Sequence, residues 1–383
     1  MSQSQATSQR PLRILSFDGG GVRGVSSLLI LKEIMFRLNL KRKDQTLRDL
    51  EPWEAFDMIC GTSTGGLIAI MLGRLHMPVE KAIEAYAALA KYVFGSTNWF
   101  WQEGSFDAGK LEKAIKLLVG MYAVPEPHAE LKQLLKSERE DISQRHIDIG
   151  NNVRMMRSGQ DDPPQCRVFV CAMMASNMAH PTRFRTYQVD ANPTPNCYIW
   201  QAARATSAAP TFFKPASIEE HGISMTFLDG GLRCNNPIRE LLDEASSYKP
   251  FKGRPVSCIL SIGTGKRGTA SLSGAGIIPK LQLLGVINML KKIALDCEKV
   301  EQDVASQLKA TPNTYFRFNV DHGLQKIGLQ EWDAMDDLVQ HTNAYKEGHD
   351  VSSAIDRAVS SLMRTEWSDM ITIERAAGLC GTR

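Results

Sequence analysis

Three short glycine-rich segments hold the residues whose types and spacing could do chemistry. They read Asp-Gly-Gly-Gly-Val-Arg-Gly over residues 18–24, Gly-Thr-Ser-Thr-Gly over residues 61–65 and Asp-Gly-Gly over residues 229–231. The middle segment presents a serine, the first offers backbone N–H groups to an anion, and the last places a carboxylate after an apolar run. Together they are the parts of a serine hydrolase in which an aspartate serves as the base.

The middle segment fits the Gly-x-Ser-x-Gly turn that joins a strand to a helix. Gly61 and Gly65 are needed because the turn is too tight for side chains there, and Thr62 and Thr64 complete it. Such a turn presents Ser63 at a helix N-terminus, where the helix dipole favours developing negative charge. A plain Ser/Thr helix cap is the alternative. The apolar strand pattern before the turn and the apolar helix pattern after it favour a nucleophile.

The first segment fits two functions and one purely structural use. Its Gly-x-Gly-x-x-Gly spacing matches a dinucleotide fingerprint, which also requires an acidic residue ending a second strand about 20 residues on. Residues 40–44 follow no strand, so this interpretation is weak. The second function is an oxyanion hole, in which the N–H groups of Gly20 and Gly21 hold the oxyanion and Arg23 adds positive charge. A packing turn is the structural alternative, and we expect the oxyanion hole if Ser63 is the nucleophile.

Asp229 is the candidate base for Ser63. An aspartate before two glycines is often only a turn former, but a serine nucleophile needs a base. A Ser-Asp-His triad would instead place a histidine later in the chain. The histidines after residue 229 include His322 in a loop, and His341 and His349 in polar helical stretches. Each is more readily explained as a surface residue than as a catalytic one.

Short apolar strands that end in glycine-rich loops alternate with helical patterns along the chain. The patterns predict strands at residues 13–17, 56–60, 166–172, 225–228 and 256–262, and helices at 25–40, 78–93, 199–209, 278–308 and 330–365. This alternation predicts an α/β fold with a mostly parallel sheet and helices on both faces. Because functional loops gather at the carboxyl ends of such strands, we expect the three segments to share one edge.

Composition excludes several classes of protein. The chain has 383 residues, of which 43% are hydrophobic and 23% charged, and its formal net charge of +3 is too small to indicate nucleic-acid binding. Its eight cysteines form no C-x-x-C pair or zinc spacing, and residues 1–10 lack a secretory signal. No apolar stretch reaches about 18 residues. We therefore expect a cytoplasmic protein whose contact with membranes is peripheral.

The three segments, in this order, resemble the patatin-like phospholipase family. Members have an Asp-Gly-Gly-Gly-x-Arg-Gly loop, a Gly-Thr-Ser-x-Gly turn and an Asp-Gly-Gly or Asp-Gly-Ala motif. Residues 203–213 (Ala-Arg-Ala-Thr-Ser-Ala-Ala-Pro-Thr-Phe-Phe), Asn235-Asn236-Pro237 and Leu260 to Gly265 are also similar to the family. The similarity covers about residues 11–267 and becomes weak beyond them.

The resemblance implies a three-layer α/β/α sandwich and a dyad without histidine, with Ser63 as nucleophile and Asp229 as base. It implies hydrolysis of fatty acyl esters of phospholipids or other lipids, with no metal and no cofactor. A catalytically silent or autoinhibited lipid-binding or signalling module is the alternative. The remaining expected site residues are the oxyanion loop and the glycines of the last motif: Gly19, Gly20, Gly21, Arg23, Gly230 and Gly231.

We predict a disordered tail over residues 1–10, a hydrolase domain over 11–320 and a helical extension over 321–383 that packs on the core. Residues 125–165 are expected to be a variable excursion with one helix at 128–137. The expected partner is a lipid substrate at a peripheral membrane surface, and the sequence leaves a homo-oligomer open. Two segments could contact lipid, the aromatic residues 94–101 and the lysine-flanked apolar residues 277–297. Packing on the core is the alternative for both.

Overall fold

The computed structural model describes residues 10–42, 48–95, 106–123, 131, 135, 140–157, 166–190, 194–210, 212–266 and 296–379. In these residues the chain builds one eight-stranded sheet. The strands are β1 (Leu12–Phe17), β2 (Met58–Thr62), β3 (Arg167–Met174), β4 (Asn177–Arg185), β5 (Ala216–Glu220), β6 (Ile223–Asp229), β7 (Val256–Ile262) and β8 (Tyr315–Phe318).

The sheet has the strand order β5-β6-β3-β2-β1-β7-β8, and β4 pairs with β3 outside this path. The pairs β1–β2, β1–β7, β2–β3 and β7–β8 are parallel, whereas β3–β4, β3–β6 and β5–β6 are antiparallel. Helices cover both faces. The α/β fold with a mostly parallel central sheet and flanking helices, predicted from the alternation of strands and helices, is confirmed.

The helices follow the strands in the alternating order expected of such a fold. They are α1 (Gly24–Lys41), α2 (Pro52–Ala55), α3 (Thr64–Ala69), α4 (Val79–Phe94), α5 (Ala108–Ala123), α6 (Glu140–Asn151), α7 (Ile199–Thr206), α8 (Gly231–Cys234), α9 (Ile238–Ser247), α10 (Met335–Glu347), α11 (His349–Leu362) and α12 (Ile373–Ala376). Residues 296–307 are also helical, and a π turn at Ile70–Arg74 continues α3. Among the described residues, no helix combines the length and apolarity needed to cross a bilayer.

Alternate residues of β1 enter two different hydrophobic cores. Leu15 and Phe17 pack with residues of α1, α3 and α4, while Leu12 and Ile14 pack with residues of α9 and α12. All four side chains are fully buried. A strand that is covered on both faces needs apolar residues at most positions, and four of the six residues of β1 are apolar.

The predicted elements differ from the structure at their ends, and the sequence patterns missed several elements, among them the helices α5, α6 and α9. The strand predicted at 56–60 is β2 at Met58–Thr62, and the helix predicted at 199–209 ends at Thr206. The missed strands are β4, whose first four residues are exposed, β5, in which buried and exposed residues alternate, and β8, which has four residues. The predicted helix at 128–137 and most of the two candidate lipid segments lie outside the described residues.

We expect Leu260→Ala in β7 to lower the free energy of unfolding by about 2–5 kcal/mol, because Leu260 is fully buried and the truncation leaves a cavity. The matched control is Leu40→Ala on α1, where the side chain is 73% exposed. Its effect should stay within about 0.5 kcal/mol. Urea unfolding of the two variants measures both values, and equal losses would contradict the assignment of β7 to the core.

Candidate active site

Ser63 lies in a strained turn between β2 and α3. Its backbone has φ 55° and ψ −129°, which is uncommon for a residue with a side chain. A Cβ atom on Gly61 would lie 2.0 Å from the carbonyl oxygen of Gly65, and one on Gly65 would lie 2.5 Å from that of Phe17. Both flanking positions therefore require glycine, and the strained backbone holds the Ser63 hydroxyl at the carboxyl end of β2.

The hydroxyl of Ser63 donates a hydrogen bond to Asp229, with 2.6 Å between Oγ and Oδ2. The two residues meet across β3, where Thr62 pairs with Cys171 and the next residue, Ala172, pairs with Asp229. The shared edge was expected from the carboxyl ends of parallel strands. For Asp229 that reason is wrong, because β6 runs antiparallel to β3 and brings the carboxylate in from the opposite direction.

Asp229 is a buried carboxylate with two hydrogen-bond donors. Its side chain accepts from the Ser63 hydroxyl and, through Oδ1, from the N–H of Gly231 at 2.6 Å, and the residue is only 4% exposed. Burial raises the pKa of Asp229 from its ordinary 3.8 to about 6, although both hydrogen bonds act to lower it. Position 230, between Asp229 and Gly231, requires glycine because a Cβ there would lie 2.4 Å from the carbonyl oxygen of Cys171.

Hydrogen bonds to α7 and α8 hold the turn in place. The Ser63 N–H donates to Thr206 Oγ1 at 2.9 Å, and the Thr206 hydroxyl donates to the Cys171 carbonyl at 2.6 Å. The hydroxyl of Thr62 donates to the carbonyl of Cys234 at 2.7 Å. The turn is thereby tied to β3 through Thr206 and to α8 through Thr62. No local pattern in the sequence indicates these contacts.

The glycine loop of residues 18–23 packs directly on the turn. A Cβ on Gly19 would lie 2.9 Å from the Ser63 Cβ. The Gly19 N–H donates to the Asn235 carbonyl at 3.1 Å, and the Gly19 carbonyl accepts from Asn235 Nδ2 at 3.1 Å and Thr264 Oγ1 at 2.9 Å. Both polar groups of the Gly19 backbone are thus engaged by other parts of the fold.

The next two glycines differ in how their N–H groups are used. The Gly20 N–H donates to Thr64 Oγ1 at 3.0 Å. No described residue accepts a hydrogen bond from the Gly21 N–H, while the Gly21 carbonyl accepts from the Tyr86 hydroxyl at 2.6 Å. Gly21 has φ +58°, and a Cβ there would lie 2.1 Å from the Leu329 carbonyl oxygen. This position therefore requires glycine both for its conformation and for space.

Arg23 lies at the end of this loop and is only 6% exposed. Its Nε donates to the Ile327 carbonyl at 2.8 Å, and Nη2 contacts the same oxygen. The sequence indicates a positive charge close to the oxyanion loop. The structure places the guanidinium of Arg23 against a backbone carbonyl of the C-terminal region.

Asp18 and Arg317 form a buried ion pair that the sequence analysis missed. Arg317 Nη1 lies 2.8 Å from Asp18 Oδ1, Nη2 lies 2.5 Å from Oδ2, and both side chains are almost fully buried. Although burial disfavours its charge, pairing with Asp18 raises the pKa of Arg317 above its ordinary value. The one signal in the sequence is an arginine among the aromatic residues of β8, where an unpaired charge would be costly.

The candidate histidine of a triad lies elsewhere. His322 is 91% exposed, and its Nε2 is 3.8 Å from Asp321 Oδ2. Its exposure is that of a surface residue, while the hydroxyl of Ser63 is already bonded to Asp229.

An apolar cleft opens beside Thr64. Its cavity has a volume of about 20 Å³. The walls come from the glycine loop, from α3, α4 and α5, and from the segment after α7: Val22, Leu67, Leu89, Val93, Leu111 and Phe213. The cleft places apolar side chains next to the residue that follows Ser63.

The sequence model of the patatin-like phospholipase family matches residues 15–242, which include all three glycine-rich segments. The chain belongs to the patatin-like phospholipase family. The family match ends within α9, so β7, β8 and the Arg317 that pairs with Asp18 all lie beyond it. These later elements complete the patatin-like site by holding its glycine loop.

Several curated relatives are similar to this patatin-like chain. It is 30% identical over 323 residues to calcium-independent phospholipase A2-gamma of Rattus norvegicus, covering 81% of this chain and 35% of that protein. It is 29% identical over 350 residues to phospholipase A I of Arabidopsis thaliana, covering 80% and 24%. Patatin-like phospholipase 1 of Plasmodium falciparum (isolate NF54) is 26% identical over 358 residues, covering 86% and 45%. The chain thus spans about a third of the length of the first relative.

Because the pKa of Asp229 is raised, the free energy of unfolding should depend on pH. Ionising this carboxyl in the folded state is unfavourable, so stability present below about pH 4 is lost as the pH rises to the folded pKa of about 6. The variant Asp229→Asn carries no such charge. We expect its free energy of unfolding, relative to that of the wild type, to rise by about 2–3 kcal/mol between pH 4 and pH 7. Urea unfolding across this range measures the difference.

The control for this prediction is Asp350→Asn, because the Asp350 side chain is fully exposed. Its unfolding free energy should follow that of the wild type at every pH. Parallel curves for Asp229→Asn and the wild type would mean that the folded environment leaves the Asp229 carboxyl unperturbed.

Proposed function

We propose that the chain is a lipid acyl hydrolase that cleaves fatty acyl esters of phospholipids or other lipids through an acyl-enzyme on Ser63. The observation that carries the proposal is the 2.6 Å hydrogen bond from the hydroxyl of Ser63, in its strained turn, to buried Asp229. The relatives that bear the names phospholipase A2-gamma and phospholipase A I support an ester of this class as substrate.

In the acylation step Asp229 accepts the Ser63 proton as Oγ attacks the ester carbonyl carbon. The tetrahedral intermediate collapses, the lipid alkoxide leaves, and the protonated Asp229 returns the proton to it. In the second step Asp229 takes a proton from water as the water oxygen attacks the acyl carbon. The bond between this carbon and Ser63 Oγ then breaks, Asp229 returns the proton to Oγ, and the fatty acid is released. The raised pKa of about 6 makes the Asp229 carboxylate a stronger base than an ordinary aspartate.

The glycine loop supplies the donors for the oxyanion. We assign the first donor to the Gly21 N–H, for which no described residue is an acceptor. The Gly20 N–H becomes a second donor when the Thr64 hydroxyl, 3.0 Å away, turns aside. Gly19 positions the loop against Ser63, since its own N–H is bonded to Asn235. Arg23 holds the end of the loop through Ile327.

The apolar cleft beside Thr64 is our candidate for the acyl-chain site. Most of its lining side chains are hydrophobic, as the site for a hydrocarbon chain requires. A cavity of about 20 Å³ holds only a few atoms. A long acyl chain therefore enters only if the walls formed by α4 and α5 separate.

The proposal includes a cytoplasmic enzyme that meets its lipid at a membrane surface. The buried cysteines at 60, 166, 171, 197, 234 and 258 are free thiols, as is usual in a reducing compartment. A silent lipid-binding module of the same fold is the alternative. The bonded Ser63–Asp229 pair favours the enzyme, because a binding module has no need of a buried carboxylate on a strained serine.

We expect Ser63→Ala to abolish labelling by a fluorophosphonate probe and to lower fatty-acid release from mixed phospholipid vesicles by about 10⁴-fold or more, because the acyl-enzyme cannot form. Asp229→Asn should lower release by a comparable factor while the variant stays folded. Both are measured in buffer with a chelator.

Ser217→Ala is the control for this experiment, because Ser217 is an exposed residue of β5. It should keep the labelling and activity of the wild type. A folded wild type without either property would favour the silent module, and a Ser63→Ala variant with full release would remove Ser63 as the nucleophile.

We expect Phe213→Ala to shift substrate preference toward longer acyl chains, because Phe213 is a buried wall of the cleft. The ratio of kcat/KM for long-chain to short-chain esters should rise by about tenfold. Phe251→Ala is the matched control, since Phe251 is equally buried but packs in the second core. It should cost similar stability and leave the ratio unchanged. An unchanged ratio in both variants would place the acyl chain elsewhere.

A further inference from the structure

A cluster of arginines lies at the edge of the sheet opposite Ser63, where the parallel strands begin. Arg10 precedes β1, Arg13 is its second residue, Arg167 is the first residue of β3, and Arg254 precedes β7. Asp57, the residue before β2, lies among them. The strand order β3-β2-β1-β7 brings these residues, which are far apart in sequence, to one place.

The carboxylate of Asp57 forms no close ion pair with the guanidinium groups of Arg10 and Arg254. Its Oδ2 accepts from the backbone N–H of Arg13 at 2.9 Å, and it lies 3.5 Å from Arg10 Nη1. Its Oδ1 lies 3.8 Å from Arg254 Nη2. Charge-assisted hydrogen bonds between such groups are typically about 2.7–2.9 Å long. One carboxylate is therefore shared among several guanidinium groups and binds none of them tightly.

Among the described residues, Arg10, Arg13 and Arg254 leave part of their donor capacity unused. Arg10 donates to the carbonyls of Glu54 and Ala55, and Arg254 Nη2 donates to the carbonyl of Arg10. No described residue accepts a hydrogen bond from the Arg13 guanidinium, and Nε of Arg13 and Nε of Arg254 are both buried without a partner. Buried donors without acceptors destabilise a fold, so this arrangement calls for an acceptor.

The charges also repel one another. Burial and the charge of Arg10 lower the pKa of Arg13 to about 10. Burial, followed by the charges of Arg10 and Arg167, lowers the pKa of Arg254 despite nearby Asp57. Other carboxylates in the area are engaged elsewhere: Glu54 pairs with Arg48, and Glu374 accepts from the N–H of Gly253 at 2.7 Å. The carboxylates of the described residues therefore do not balance the charge of this cluster.

We propose that the cluster is a binding site for a phosphate group, held by Arg10, Arg13 and Arg254. The planar guanidinium fork matches two phosphate oxygens at once, and a dianion would supply both the missing acceptors and the missing charge. Arg10 remains 34% exposed, so the site is open to solvent. A strand the length of β1 spans about 20 Å, which separates this site from the glycine loop.

The proposal does not depend on the activity proposed for Ser63, and the test keeps the two apart. Inorganic phosphate is titrated into the wild type, Ser63→Ala, Arg13→Met, Arg254→Met and the exposed control Arg364→Gln, with binding followed by calorimetry and thermal unfolding. Sodium chloride of equal ionic strength replaces phosphate in the reference. We expect the wild type, Ser63→Ala and Arg364→Gln to bind alike, and the two methionine variants to bind at least tenfold more weakly.

The stability of the variants gives an independent readout. Without phosphate, Arg13→Met should unfold at a temperature equal to or above that of the wild type, because it removes a buried charge that lacks an acceptor. With phosphate the order should reverse. A phosphate effect equal to that of sodium chloride, or equal binding by the wild type and both methionine variants, would overturn the proposal.

A second arm identifies the source of the phosphate group. The wild type and Arg13→Met are floated with phosphatidylcholine vesicles that contain phosphatidic acid, a lipid with a phosphomonoester headgroup. Capture that is lost in Arg13→Met supports the site and assigns it to a lipid headgroup. Phosphate binding in solution without Arg13-dependent capture supports the site and assigns it to a free phosphate compound.

Discussion

The arrangement of the site depends on how closely two backbone segments approach each other at the carboxyl ends of β1 and β2. A Cβ on Gly19 would lie 2.9 Å from the Ser63 Cβ, and a Cβ on Gly65 would lie 2.5 Å from the carbonyl oxygen of Asp18. The two segments interlock only because each supplies glycine where the other is nearest. The register Phe17↔Gly61 between the two strands sets this approach. A larger residue on either side would displace the N–H groups from the serine.

The glycine loop has little internal structure of its own and is held from outside. Asn235 and Thr264 bind Gly19, Tyr86 binds Gly21, and Leu329 accepts the N–H of Val22. Leu329, with Ile327 and Arg317, belongs to the part of the chain beyond the family match at residue 242. The C-terminal region thus holds the glycine loop in place through hydrogen bonds and through the ion pair of Arg317 with Asp18. Preorganised donors of this kind are what an oxyanion requires.

Burial opposes a negative charge at one edge of the sheet and a positive charge at the other. At the carboxyl edge, Asp229 is a buried carboxylate whose ionisation is opposed by desolvation, so its pKa rises to about 6. At the amino edge, Arg13 is a cation whose charge is opposed by burial and by Arg10, so its pKa falls to about 10. Each group reduces the stability of the folded chain at neutral pH. Functional sites commonly carry such local costs, while the large cores on both faces of the sheet supply the stability that tolerates them.

The sequence by itself determined the class of the fold and the type of the site. Strands that are apolar at most positions, such as β1 and β7, indicate burial on both faces. Glycines at 61 and 65 around a serine indicate a turn too tight for side chains. Such signals are local, since each depends on neighbours within a few residues. Partly exposed or short strands, as in β4, β5 and β8, give no such signal, and the sequence patterns missed them.

Only the tertiary structure decided which distant residues meet. The pairing of Ser63 with Asp229 across β3 depends on an antiparallel strand whose direction no local pattern shows. The Asp18–Arg317 pair, the contact of Arg23 with Ile327 and the arginine cluster around Asp57 are likewise contacts between strands or loops distant in the chain. Sheet order and register create these contacts, because they bring together residues whose charges and hydrogen bonds depend on partners far away in sequence.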